Sequence, residues 1–587
     1  MKNFFKYMLA TIVGIIVVNL IFFFVFLIIV ASFSGGKDEV KIESSSILHL
    51  KFDYEIPERT SDNPLQNFDF STLKTTQNLG LNDILKNIKK AKEDSNIKGI
   101  YLNMPNLNAG IATIEEIRNA LINFRKSRKF IIAYNEFYTQ GSYYLATSAN
   151  KIYLNPQGIV EFKGLHSEIM FFKGMLEKLG IEPEVIRHGK FKSAVESFIL
   201  DKMSPENREQ TLTYVGSIWN FLLQGISEQR HISIDSLNFY ADSMLVRNAE
   251  ACLKLKFVDG LKYYDEIIDE LKTASGINVK KDLKIVELGE YKKVRGFHKS
   301  GKKEKVAVIY ANGQINSGKG DDENIGSDDL ASTIREARTD STIKAVVLRV
   351  NSPGGSALAS DVIWREVELT KKVKPVIVSM GNVAASGGYY ISCPADVIVA
   401  DHSTITGSIG VFGLLWNGQK FFNEKLGITI DGVQTNANSS IGSVFRKINP
   451  NERAVIQEGV EQIYDVFLGH VADGRKMEKA NVDSIGQGRV WSGVNAKEIG
   501  LIDEFGGLED AIEIAKKKAK ITTDIRIIEM PEKLPFFEQL IKEMKDNASV
   551  SAMQKELGPA YRYYKTFKNL TGLSGIQARM TYDVYLY

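Results

Sequence analysis

Residues 340–367 read DSTIKAVVLRVNSPGGSALASDVIWREV, and residues 94–121 read DSNIKGIYLNMPNLNAGIATIEEIRNAL. Each begins Asp-Ser-x-Ile-Lys, continues through a short apolar run and a turn-rich stretch, and ends in apolar residues at helical spacing. The offset is 246 residues (340 − 94), and without a gap it also carries Tyr143-Tyr144 onto Tyr389-Tyr390. Farther along, Met203-Ser204-Pro205-Glu206-Asn207 resembles Ile448-Asn449-Pro450-Asn451-Glu452 at an offset of 245. A long-period repeat of this kind means one folding unit used twice. The copies start near residues 40 and 303, and the basic, polar string KKVRGFHKSGKKEK at 292–305 reads as the linker.

Within the second copy, Val306–Tyr310, Ala345–Val350, Pro375–Met380 and Asp396–Ala400 are short runs rich in β-branched residues, as buried strands are. Ser356–Lys372 and the segment after Ser386 have helical character, and residues 454–471 form a long amphipathic helix matched by 209–227 in the first copy. Strands alternating with helices predict an α/β fold with parallel sheet and crossover helices. The expected organisation is residues 1–36, 37–300, 301–530 and 531–587. The last segment has apolar and charged residues at helical spacing and reads as a helical extension without assigned chemistry.

Residues 7–36 contain no charge. This run exceeds the about 20 apolar residues that a membrane helix needs, and also the roughly 7–15 of a cleavable signal's apolar region. Length therefore favours an uncleaved transmembrane anchor, although Ala31-Ser32-Phe33-Ser34 offers small residues for processing. Lys2 and Lys6 precede the run, so the positive-inside rule puts the N-terminus in the cytoplasm and the body across the membrane. The expected location is the cytoplasmic (inner) membrane, single-pass, with the body on the periplasmic side and lipid contacted through the N-terminal helix. Lys and Arg total 74 against 71 acidic residues, which gives no reason to expect nucleic acid as a partner. The two cysteines, Cys252 and Cys393, define no disulfide framework, and no Cys/His spacing suits a metal. Gly313-x4-Gly318-Lys319-Gly320 approaches a phosphate-binding loop, but Gly320 stands where the magnesium-holding hydroxyl belongs and acidic residues follow.

Asn351-Ser352-Pro353-Gly354-Gly355 follows a strand and precedes a helix, so the paired glycines let the backbone approach a ligand closely. The next strand runs into Met380-Gly381-Asn382-Val383-Ala384-Ala385-Ser386-Gly387-Gly388, which sets Ser386 at a strand-to-helix turn among small residues. There its hydroxyl would be accessible, and N–H groups of Gly387 and the Gly354-Gly355 pair are candidates for an oxyanion hole. Subtracting 246 maps Ser386 to Gln140 and Gly354-Gly355 to Asn108-Ala109, so the first copy keeps the scaffold without the nucleophile side. A serine needs a base. His402, beside Asp401, is one candidate. A lysine made neutral by burial is another, and composition alone does not choose among the lysines.

The strings RVNSPGGS, MGNVAASGGYYIS and TITGSIGVFG, together with Gly189-Lys190-Phe191-Lys192-Ser193-Ala194-Val195-Glu196 and Met203-Ser204-Pro205, resemble the signal peptide peptidase A family in its long two-domain form. The resemblance implies tandem ClpP/crotonase-like domains, a repeated ββα spiral, and a serine peptidase with a Ser–Lys dyad and no cofactor. Carried over by position, Ser386 is the nucleophile, Lys192 of the first copy the general base, and Ser408 a hydroxyl that hydrogen-bonds the lysine. Lys192 maps to Ala437 or Asn438 in the second copy and Ser408 maps back to Phe162, so each copy keeps half of the pair. The implied substrates are signal peptides and other hydrophobic peptides held in a groove with a small first pocket. The implied assembly is a homotetramer. A crotonase-type acyl-CoA enzyme and a silent scaffold share the fold and are the alternatives.

Overall fold

In the computed structural model the described residues are 42–60, 78–294, 304–321, 324–531 and 576–580, with 6–8, 10–21 and the pairs 68–69 and 74–75. Residues 10–21 are helical, and among the described residues no helix is long and apolar enough to cross a membrane. Most of the expected anchor, the centre of the linker, and the tail apart from 531 and 576–580 lie outside the described residues.

The repeat in sequence is a repeat in structure. The 246-residue offset carries helix Leu81–Glu93 onto Ser327–Thr339 and helix Ile111–Arg125 onto Ala357–Lys371. An offset of 245 carries the long helix Pro205–Arg230 onto Pro450–Arg475. Both long helices start the same way, with Ser204 or Asn449 accepting the N–H three residues on and proline in the first turn. Proline fits there because that N–H would have no intrahelical partner.

Each half is built on a largely parallel sheet. In the first, the order is Gly260–Leu261, Lys151–Val160, Phe130–Tyr138, Ile97–Asn103, Ser46–Lys51, Ile285–Glu287, all parallel. In the second it is Val490–Ser492, Ile405–Gly407, Val376–Ala385, Ile343–Ser352, Glu304–Asn312, Ile525–Met530, parallel except for the first strand. Val397–Ala400 also pairs with Val376–Ala385. Helices cover these sheets, which explains why Ile100, Leu102, Val347 and Leu348 are buried and the strands read as continuous apolar runs.

A third sheet joins the halves. Its order is Asn324–Gly326, Gln314–Asn316, Gly354–Ser356, Ile576–Arg579, Phe412–Asn417, Glu182–Arg187. The last of these belongs to the first half and pairs antiparallel with Phe412–Asn417 over its whole length. Of the tail, read in sequence as helical, the part that is described is therefore a strand, Ile576–Arg579. Its hydrogen bonds run to neighbouring strands, which apolar periodicity within the tail does not reveal.

The seam is also held by buried charge. Arg349, fully buried, donates from Nε to Glu58 Oε2 at 2.8 Å and from Nη2 to Glu116 Oε1 at 2.6 Å. Both carboxylates come from the first half.

Candidate active site

Ser386 stands between strand Val376–Ala385 and the short helix Gly387–Ser392 with φ 54° and ψ −112°. A non-glycine residue with this backbone costs on the order of 1–3 kcal/mol and persists only where its surroundings hold it. Its N–H donates to Gly407 O at 2.8 Å, its carbonyl accepts from Tyr390 N at 2.8 Å, and the hydroxyl is completely buried.

Lys192 reaches this serine from the other half. The loop carrying it is pinned to the second half: Phe191 N donates to Gln487 O at 3.0 Å, and Gln210 accepts from Val490 N at 3.0 Å while donating back to Phe191 O at 3.1 Å. Gly189, at φ +94°, is needed in that loop because a Cβ there would lie 2.5 Å from Gln487 O. Lys192 Nζ is 3.0 Å from Ser386 Oγ, 3.1 Å from Ser408 Oγ and 3.4 Å from Ser408 O. Its hydrogen-bond partners include no carboxylate, and burial pushes the ammonium down to about 7. A lysine with this environment is neutral in a large fraction of molecules near neutral pH, and so able to accept a proton.

The three glycines differ in what they do. Gly354, at φ +93°, donates its N–H to Ser352 Oγ at 3.2 Å, and the space a Cβ would need is taken by the Ala578 carbonyl oxygen, which would lie 2.2 Å from it. Gly387 follows Ser386 directly and lies against Gly354: a Cβ on Gly354 would be 2.6 Å from Gly387 N. Gly355 pairs in the joining sheet with Ile315 on one side and Ala578 on the other.

His402, the histidine candidate, is held elsewhere. Its Nδ1 lies 2.6 Å from Glu115 Oε1, and its ring stacks between Phe221 and Phe505 at 4.5 and 4.0 Å. Neighbouring Asp401 makes no hydrogen bond through its carboxylate oxygens, and burial holds that carboxyl well above the usual range. In the first half, the position equivalent to Ser386 is filled by Gln140, whose Oε1 accepts from Lys163 N and Gly164 N at 2.8 and 2.9 Å. Phe162, equivalent to Ser408, packs against Trp219 and Phe257. The first half thus has a hydrogen-bonded glutamine and a packed phenylalanine where the second has Ser386 and Ser408. Sequence reasoning did not find the strands that flank the site, Glu182–Arg187 and Phe412–Asn417, nor the strand Ile576–Arg579 between Phe412–Asn417 and Gly354–Ser356. Their apolar-polar alternation is weak, and their significance lies in pairing across hundreds of residues.

A duplicated α/β body in which a buried serine meets a buried lysine across the two halves has the make-up of a serine peptidase. The comparisons of sequence agree. Residues 123–278 and 368–522 each match the model of Peptidase family S49. Protease 4 of Salmonella typhi is 40% identical over 76% of this chain and 73% of its own length. Protease 4 of Haemophilus influenzae is 35% identical over 86% and 84%, and the chloroplastic serine protease SPPA of Arabidopsis thaliana 35% over 78% and 68%. Among solved structures, a ClpP1 point mutant from Listeria monocytogenes aligns with 35% of this chain and 94% of its own, at 13% identity and a TM-score of 0.24. The chain is a serine peptidase and belongs to Peptidase family S49.

Proposed function

We propose that this peptidase is a membrane-anchored endopeptidase that degrades signal peptides after their release, with Ser386 as nucleophile and Lys192 as general base. The observation that carries the chemistry is the 3.0 Å approach of a buried Lys192 Nζ to Ser386 Oγ. Lys192 takes the hydroxyl proton as Oγ attacks the peptide carbonyl, then returns it to the leaving amine, and the acyl-enzyme is hydrolysed by water. Ser408 orients the lysine through its hydroxyl. The N–H groups of Gly387 and Gly355 receive the oxyanion, the Gly354 N–H being given to Ser352 Oγ.

The substrate class is supported by the name of a relative, a putative signal peptide peptidase SppA of Enterococcus faecium, 41% identical over 33% of this chain. The uncharged run at 7–36 supports an anchor in the cytoplasmic membrane with the body on the periplasmic side. A repeated ClpP/crotonase-like spiral and a homotetramer belong to the same reading. The test is hydrolysis of a hydrophobic signal-peptide fragment by the parent, Ser386→Ala and Lys192→Ala. Both variants are expected to fall to background. Full activity in either removes that residue from the mechanism.

A further inference from the structure

Lys192 is braced by a short turn of the second half, residues 486–489, whose own backbone is far from relaxed. Gln487 has φ 54°, in the left-handed region, and Gly488 follows at φ 80°. A glutamine in that conformation persists only where its neighbours fix it. The turn reaches the site on two sides. Gln487 O accepts from Phe191 N at 3.0 Å, while Gly488 N donates to Ile409 O at 2.7 Å and Arg489 O accepts from Ser408 N at 2.7 Å. It therefore sets the backbone beside Lys192 and, through Ser408, the hydroxyl that Nζ approaches.

Two side chains behind the turn fix Gln487. The Tyr464 hydroxyl donates to Asp483 Oδ1 at 2.6 Å and accepts from Gln487 N at 3.1 Å. The same Asp483 oxygen accepts from the Gln487 side-chain amide at 2.6 Å. Burial, and then the bond to Asp483, pushes the Tyr464 phenol up, so the hydroxyl keeps the proton it donates. The Tyr464 ring also stacks on His188, at the start of the lysine loop, with centroids 4.0 Å apart. The duplication supplies a comparison. An offset of 245 carries Trp219 onto Tyr464 and Asn238 onto Asp483, and Trp219 Nε1 donates to Asn238 Oδ1 at 2.9 Å. The link between the long helix and the next one is thus present in both halves and belongs to the fold. What differs is the chemistry of the donor. An indole N–H can only donate, whereas a hydroxyl donates and accepts together. The half that braces Lys192 has the group able to receive the Gln487 N–H.

We propose that Tyr464 and Asp483 are positioning residues for the reaction, acting through Gln487 to hold Lys192 against Ser386. This rests on the Ser386–Lys192 reading given above. Their hydrogen bonds keep an unfavourable turn in place, and the turn closes the lysine loop from behind. Without the Tyr464 hydroxyl, Gln487 N loses its acceptor, the turn relaxes, and the loop at 189–192 draws back. Two effects follow that a general loss of stability does not produce. Nζ moves away from Ser386 Oγ, which lowers kcat while peptide binding is kept. Water reaches Nζ, which favours the ammonium and moves the pH midpoint of the rate upward.

The test uses the full chain in detergent and follows hydrolysis of an added hydrophobic peptide as a function of pH. Tyr464→Phe keeps the ring and loses the hydroxyl; its kcat is expected to fall about tenfold or more, with KM changed less than about twofold. Its kcat/KM midpoint is expected to rise by about one pH unit. Asp483→Ala is expected to behave likewise, and Asp483→Asn, which keeps an accepting oxygen, to recover most of the rate. Trp219→Phe breaks the equivalent bond in the first half and is expected to leave the midpoint where the parent has it. A parent-like kcat and midpoint in Tyr464→Phe overturn the proposal. So does a fall in kcat with an unmoved midpoint, or a midpoint that moves equally in Trp219→Phe. Ser386→Ala and Lys192→Ala are measured alongside. If both are inactive and Tyr464→Phe matches the parent, the positioning role alone falls. Full activity in either overturns the proposed function and the positioning role with it.

Discussion

Gly488 is packed against the backbone of Lys192 so closely that a Cβ on it would lie 2.7 Å from the Lys192 N and Cα. It also has φ +80°, a conformation that glycine adopts without penalty and alanine does not. Gly488→Ala therefore displaces the segment bearing Lys192. A shift of about an ångström in a catalytic group lowers turnover by about 100-fold. Peptide hydrolysis in Gly488→Ala is expected to drop on that scale while its thermal midpoint falls by only a few degrees. A fully active variant would show that this contact does not fix the lysine.

The rate should depend on pH through Lys192. Burial pushes its ammonium down to about 7, so the neutral form needed to accept a proton gains population as pH rises through that value. The expected profile of kcat/KM is a single ascending limb with a midpoint near 7, falling about tenfold per pH unit below it. A midpoint near the ordinary lysine value would mean that the lysine is hydrated in the working enzyme.

Much of this was legible in the chain. The repeat offset anticipated the paired helices and sheets, because a duplicated unit must bury the same positions twice. Ser386 and Gly387 were visible as small residues between a strand run and a helix run. The pairing of Lys192 with Ser386 was not legible from physics, since 194 residues separate them and a lysine's burial depends on what packs over it. There the resemblance supplied what composition could not. The docked strand Ile576–Arg579 escaped altogether, because a four-residue strand takes its hydrogen bonds from partners distant in sequence and carries little periodicity of its own.

A buried lysine without a counter-charge also has a cost in stability. The folded protein releases its proton near pH 7, whereas the unfolded chain keeps it up to the ordinary value of 10.5. Between these values the unfolded state binds more protons, so this group's contribution to stability rises with pH. The penalty is fully present below pH 7 and disappears above 10.5. Lys192→Met removes it while preserving volume, and should stabilise the fold by on the order of one to a few kcal/mol at pH 6. The gain should shrink towards pH 10. Denaturant unfolding at the two pH values measures it, and a variant less stable than the parent at pH 6 would contradict the account.

Arg349 tests whether the seam itself is part of the catalytic apparatus. Its guanidinium lies between Glu58 and Glu116 and also donates to Ser379 Oγ at 2.9 Å, all without solvent exposure of the arginine. Burial already pushes the Glu116 carboxyl up in spite of this neighbour. Arg349→Met leaves two buried carboxylates facing each other, and breaking a buried pair in this way costs about 3–5 kcal/mol. The carboxyls would then take up protons more readily folded than unfolded, so the loss should be smallest at low pH and grow as pH rises. Adding Glu58→Gln and Glu116→Gln removes the stranded charge, and much of the stability should return. Because Ser386 and Lys192 come from opposite sides of this seam, hydrolysis should return with it. Recovery of stability without recovery of hydrolysis would separate the role of Arg349 in folding from a role in aligning Ser386 with Lys192.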